Sequence, residues 1–142
     1  MMSQASDINF LMRKIQIKEH QLASEVSGQY DLTETQAKTL GFIEKFPGTN
    51  QKNIADSFSL SNASTSAIIK KLVTRGFIEK KPNVGSQDRS NRLYLTAAGV
   101  NISIDIRKEL SKIENIIAQN LTEQEAANLI ILLTKVKKSF SE

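Results

Sequence analysis

The chain has no cysteine, a single histidine and only two prolines among its 142 residues. Without cysteine there is no disulfide framework, no thiolate nucleophile and no thiol redox switch. His20 alone, with no cysteine beside it, cannot supply a typical zinc site. A lone helical histidine is more often a surface or interface residue than a ligand. The six glycines are scattered at turns, and neither a P-loop nor a G-x-G-x-x-G run occurs. No local signature suggests a Ser-His-acid set. The sequence therefore points to no cofactor and no metal, and to a chain that is not an enzyme. No stretch approaches the roughly 20 apolar residues of a membrane span. No apolar run at the N-terminus is bounded by a small-residue cleavage site. The expectation is a cytoplasmic protein with no membrane partner.

What is present is unevenly placed. The net charge is +4, but residues 50–96 hold eight basic side chains (Lys52, Lys70, Lys71, Arg75, Lys80, Lys81, Arg89, Arg92) against three acids (Asp56, Glu79, Asp88). The segments on either side are close to neutral. A localised basic excess points to a polyanion better than net charge alone does.

The periodicity is mostly helical. Ile8, Leu11, Ile15, Leu22 and Val26 predict a helix over 7–27, with Asp7 as N-cap and Gly28 as stop. Thr33 and Gln36 form a capping box that opens a second helix, ended by Pro47-Gly48. Asn50 caps a short third helix with Ile54, Ala55 and Phe58 inward. Ser61 caps a fourth, ending near Arg75-Gly76. Phe77–Lys81 and Arg92–Leu95 read as strands joined by a polar loop with Gly85 near its tip, which makes a wing. Thr96 caps a fifth helix striped by Ile102, Ile106, Leu110, Ile113 and Ile117. Thr122 and Glu125 form a second capping box before a last helix lined by Ala126, Leu129, Ile130, Leu133, Val136 and Phe140. The fold class is mostly α with a small β-hairpin wing, an α+β winged helix-turn-helix. It forms one domain over 1–142, with the winged region at 30–98 and helical regions at 7–27 and 97–140.

On the fourth helix, steps of about 100° per residue gather Thr65, Ile68, Ile69 and Leu72 on one side. Ala63, Ser66, Ala67, Lys70 and Thr74 fall opposite, flanked by Asn62 and Lys71. That face has little bulk and carries hydroxyl and amide groups near its start and ammonium groups further on. It suits a major groove about 12 Å wide. The candidate DNA-binding residues are Lys52, Ser61, Asn62, Ala63, Ser64, Ser66, Lys70, Lys71, Arg75, Arg89 and Arg92. Lys70, Lys71 and Arg75 are assigned to phosphates. Arg89 is the candidate for the minor groove, where negative potential is focused. Arg92 is assigned to a phosphate or to hairpin support. Double-stranded DNA is the expected partner. The terminal helices present more apolar face than one protomer can cover, which predicts a homodimer.

Three runs carry a resemblance over Leu32–Gly99: LTETQAKTLGFI, then PGTNQKNIADSFSLSNASTSAIIKKLVTRGFIEKK, then DRSNRLYLTAAG. They resemble the MarR family of winged helix-turn-helix regulators, and the flanking helices fall where that family keeps its dimerisation helices. The resemblance implies that Ser61–Arg75 reads the major groove and that a wing arginine enters the minor groove. It implies a transcription regulator, most simply a repressor. It also implies that a small organic ligand, often a phenolic or other aromatic acid, can bind between dimer helices and reading head. Tyr30, Phe10 and Phe42 are candidates to line such a pocket, although their default place is the core. The family wing usually reads Asp-x-Arg, whereas here Gln87 stands at the Asp position and Asp88 is shifted by one. The cysteine-sensing branch is excluded for want of cysteine. The competing class is a winged module that binds protein or RNA and never touches duplex DNA. It would show apolar or acidic residues on the outward face of the fourth helix.

Overall fold

A computed structural model describes residues 3–83 and 90–141. The chain divides into two compact units, one running to Leu110 and the other starting at Ser111, so the division falls within one long helix. The first unit holds α1 (Gln4–Gln29), α2 (Glu34–Lys45), α3 (Gln51–Phe58), α4 (Asn62–Thr74), β1 (Ile78–Lys81), β2 (Arg92–Leu95) and the first turns of α5 (Ala97–Ala118). The second holds the rest of α5 and α6 (Glu123–Lys138). No helix among the described residues is long and apolar enough to cross a membrane.

Most boundaries follow local chemistry. The Gln36 amide donates to Thr33 Oγ1 at 3.1 Å, and Gln36 Oε1 accepts from the Thr33 amide at 3.0 Å. Asn50 Oδ1 accepts from the Asn53 amide at 2.9 Å, and Ser61 Oγ from the Ser64 amide at 3.0 Å. Each bond satisfies a helix-start amide that has no partner within its own helix. Gly48 (φ 85°) and Gly76 (φ 79°) take the left-handed angles that end α2 and α4.

Three boundaries depart from expectation. The first helix starts at Gln4, because Ser3 Oγ accepts from the Ser6 amide at 3.1 Å and takes the cap from Asp7. Asp7 then sits in the first turn, its amide already donating to the Ser3 carbonyl at 3.0 Å. Gly28 does not stop the helix. The turn comes at Asp31 (φ 55°), and the Leu32 amide reaches back to the Ser27 carbonyl at 3.0 Å. The first strand begins one residue later than Phe77, because the Phe77 amide closes the end of α4 by donating to the Leu72 carbonyl at 3.0 Å.

The hairpin is antiparallel, pairing Ile78 with Leu95 and Lys81 with Arg92. A single bridge between Thr49 and Leu93 extends it, with the Leu93 amide donating to the Thr49 carbonyl at 2.8 Å. The core of this unit is built from Leu40 and Ile43 of α2, Ile54 of α3, Ile69 and Leu72 of α4, and Ile78 and Leu93 of the strands. Ile106 of α5 joins it. On the helices these residues recur three or four apart and on the strands two apart from their neighbours on the same side, so each element gives one face to the common interior. Thr96 Oγ1 accepts from the Gly99 amide at 3.1 Å and donates to the Gly76 carbonyl at 2.6 Å. Gly99 itself is pressed so close to the strand start that a methyl there would fall inside the Phe77 carbonyl oxygen.

In the second unit, the Glu125 amide donates to Thr122 Oγ1 at 3.1 Å and Glu125 Oε1 accepts from the Thr122 amide at 2.9 Å. Glu123 and Glu125 sit in the first turn of α6, and Lys135, Lys137 and Lys138 in the last, matching the helix dipole. No residue of α6 is buried.

Candidate nucleic-acid interface

The fourth helix is positioned by its inner side. Thr65, Ile69 and Leu72 are buried and Ile68 is half-buried. The Thr65 hydroxyl donates to the Ser61 carbonyl at 2.9 Å, so this polar side chain enters the core already satisfied. The outer side is then fixed. Asn62, Ala63, Ser64, Ser66, Ala67, Lys70, Lys71 and Thr74 are all exposed. The first turn holds no acid. Neither Lys70 nor Lys71 has a carboxylate partner among the described residues, so their ammonium groups are available to solvent.

Not all candidates share that face. The Ser61 hydroxyl serves as the cap and also donates to Ser64 Oγ at 2.9 Å. The Arg75 guanidinium turns inward. It donates from Nη2 to the Tyr30 carbonyl at 3.0 Å and from Nη1 to the Asp31 carbonyl, and it lies 4.9 Å above the Phe77 ring. Arg92 sits at the loop end of the hairpin, with Nε donating to Asn83 Oδ1 and Nη1 to the Gly48 carbonyl, both at 3.0 Å. Both bonds are internal to the chain. Arg89, Asp88 and Gln87 lie outside the described residues.

Beside the start of α4 the surface is concave. A cavity of about 460 Å³ opens between α3, α4 and the hairpin, walled by Gln51, Lys52, Asn62, Lys80, Ser90 and Asn91. Ile69 and Leu93 form its floor. Gln51 Nε2 donates to the Asn62 carbonyl at 3.1 Å and ties the starts of α3 and α4 together. Lys80 was absent from the candidates read from sequence. Strand alternation was the available signal, since it sits two residues after buried Ile78.

Of the three aromatics considered for a ligand pocket, Tyr30 and Phe42 are half-buried against the core. Phe10 is exposed on α1, away from its default place in the core. Phe42 also lines a separate cavity of about 630 Å³ with Phe46 and Pro47.

A three-helix head with a two-stranded hairpin, the fourth helix turned outward, defines a winged helix-turn-helix protein. Residues 32–87 match the model of the MarR family. The chain is 28% identical over 109 residues to an uncharacterized HTH-type transcriptional regulator, YybA, of Bacillus subtilis strain 168, a match covering 77% of this chain and 72% of the relative. It is similar in structure to a mutant MarR from E. coli complexed with operator DNA, at 24% identity and a TM-score of 0.75, over 95% of this chain and 99% of the other. MepR, a transcription regulator of the Staphylococcus aureus multidrug efflux pump MepA, aligns with a TM-score of 0.78 at 23% identity, over 94% of this chain and 98% of its own. Over residues 32–87, then, the chain resembles the MarR family, and its fold is the one these regulators share.

Proposed function

We propose that this chain is a sequence-specific regulator of transcription that binds double-stranded DNA as a homodimer. The observation that carries this reading is the outer face of α4: small and polar at its start, basic further on, free of acid in its first turn, and locked outward by a buried back. A module built for protein contact would carry apolar or acidic side chains there. In support, a MarR of the same fold has been captured with operator DNA.

Dimerisation follows from the apolar faces left uncovered within one chain. On α1, Ile8, Leu11 and Ile15 are about half exposed. On α6 the five consecutive residues Leu129, Ile130, Ile131, Leu132 and Leu133 are exposed, and at 100° per step they surround the helix. A helical turn that is apolar all round favours an interior, and a second copy would provide one. Two heads related by a two-fold axis would read a pseudo-palindromic site with half-sites about one helical turn apart. In this scheme Asn62, Ala63, Ser64 and Ser66 face base edges, with Lys70 and Lys71 on phosphates. Arg75 serves the fold, and Arg89 remains the minor-groove candidate. Blocking a promoter gives repression. A small organic ligand would release the site by preferring one spacing of the heads over another.

Selection from a random duplex pool tests the reading. Recovery of a two-fold related motif is the expected result. Failure to enrich any duplex at low salt, or enrichment of a single unpaired half-site, would overturn it.

A further inference from the structure

We propose that Lys80 and Lys52 together seat one backbone phosphate of the duplex, in the cavity beside the reading helix. This rests on the DNA-binding reading and adds to it a contact made from the base of the hairpin.

Strand alternation separates two adjacent lysines. Ile78 and Lys80 point to one side of β1, Glu79 and Lys81 to the other. Lys81 is engaged within the hairpin: its Nζ lies 3.6 Å from Glu79 Oε1 and 5.0 Å from the centre of the Tyr94 ring. Lys80 follows buried Ile78 toward α4 and emerges in the cavity, where it has no carboxylate partner among the described residues. Lys52 enters the same cavity from the first turn of α3. The described lining includes no acid; its remaining polar groups are the amides of Gln51, Asn62 and Asn91 and the hydroxyl of Ser90. The volume of about 460 Å³ is many times the roughly 30 Å³ share of a water molecule, enough for a phosphate with its hydration. The mount of Lys52 is fixed against the start of α4, because Gln51 Nε2 donates to the Asn62 carbonyl across the gap between helices. A pair of ammonium groups on fixed backbone, with side-chain amides around them and no carboxylate among the described lining residues, matches the chemistry of a phosphodiester.

The test uses the duplex recovered by selection with the unmodified chain, scanned with single methylphosphonates that remove one backbone charge at a time. Lys80→Ala and Lys52→Ala are each expected to lower affinity about tenfold and to flatten the salt slope by up to about 1. Lys81→Ala serves as control and stays within about twofold, as expected for an exposed pair. In each half-site, one methylphosphonate position that weakens the unmodified chain should weaken each variant clearly less, and it should be the same position. Lys80→Gln, with thermal melts of all variants, separates lost contact from lost fold. The proposal is overturned if Lys80→Ala binds like Lys81→Ala, or if the two variants lose sensitivity at different phosphates. If the unmodified chain enriches no duplex, the parent reading falls as well, a result seen before any variant is made.

Discussion

The unit ending at Leu110 and the unit starting at Ser111 use similar side chains to opposite ends. In the first, Leu40, Ile43, Ile54, Leu72 and Leu93 are withdrawn from water. In the second, α6 carries a comparable density of Leu and Ile and buries none of them, with Ile130 66% exposed. Composition therefore does not separate head from tail, but closure does. The winged part of the first unit completes its own interior, although α1 leaves Ile8, Leu11 and Ile15 half exposed, and this lets the outward face of α4 be defined within one chain. The tail has an exposed apolar girdle on α6, which a second copy of the chain would cover in the proposed dimer.

The largest effect should come from charging that girdle. Ile130→Asp with Leu133→Asp is expected to give a monomer by light scattering. It should also weaken binding to the selected duplex by about a hundredfold or more, since the second head loses its effective concentration. An unmodified chain that is already monomeric at micromolar concentration would erase the contrast. Next comes the head interior. Leu40→Ala, at a fully buried site, should cost about 2–5 kcal/mol in urea unfolding. Its destabilisation should not vary with protein concentration, whereas that of Ile130→Ala should. Gly99→Ala sharpens the same point, because its methyl would meet backbone that cannot yield. We expect a loss of about 1–3 kcal/mol from overpacking, read by thermal melting.

Smaller still are the effects on the exposed reading face. Lys70→Ala should reduce the salt slope by about 1 while leaving stability unchanged. Asn62→Ala or Ser66→Ala should shift base preference more than the slope, as read by anisotropy across salt and sequence. The smallest expected effect concerns Glu34 at the start of α2. Burial pushes its carboxyl up, but the hydrogen bond with His20 Nδ1 at 2.9 Å and the charge of Lys38 at 3.3 Å outweigh this and hold it below the ordinary carboxylate value. A depressed folded-state value means that the carboxylate favours the fold above the ordinary range, and that this contribution fades as pH falls through the lowered value. Glu34→Gln should therefore flatten the acid limb of the stability profile below about pH 4.5, with little change near neutrality.

The parts of this architecture that could be read from sequence are those written within four residues. The Thr33–Gln36 and Thr122–Glu125 boxes, the Asn50 and Ser61 caps and the inward set of Thr65, Ile69 and Leu72 depend on side chains reaching their own turn or their own helical face. What escaped depends on distance along the chain. Nothing near Arg75 in sequence announces that its partners are the carbonyls of Tyr30 and Asp31, 45 and 44 residues away. A basic residue at the end of that helix reads as a phosphate ligand from sequence alone, and the fold adds backbone acceptors that the sequence does not show. Arg92 is the same case, its Gly48 partner being 44 residues distant. The start of α1 was misplaced for a different reason. Ser3 and Asp7 are both good caps, and propensity alone does not choose between them. Lys80 was hidden because its neighbour Lys81 has the same charge and the opposite fate.

Arg75 makes the turn between α1 and α2 and the tail of α4 parts of one frame. The guanidinium works as a tie rod, with one end rooted in the reading helix and the other hooked on two peptide oxygens of a distant bend. That helix is thereby tied from behind to the backbone around Tyr30 and Asp31, and a displacement of this bend would tilt its exposed side without any group on that side being touched.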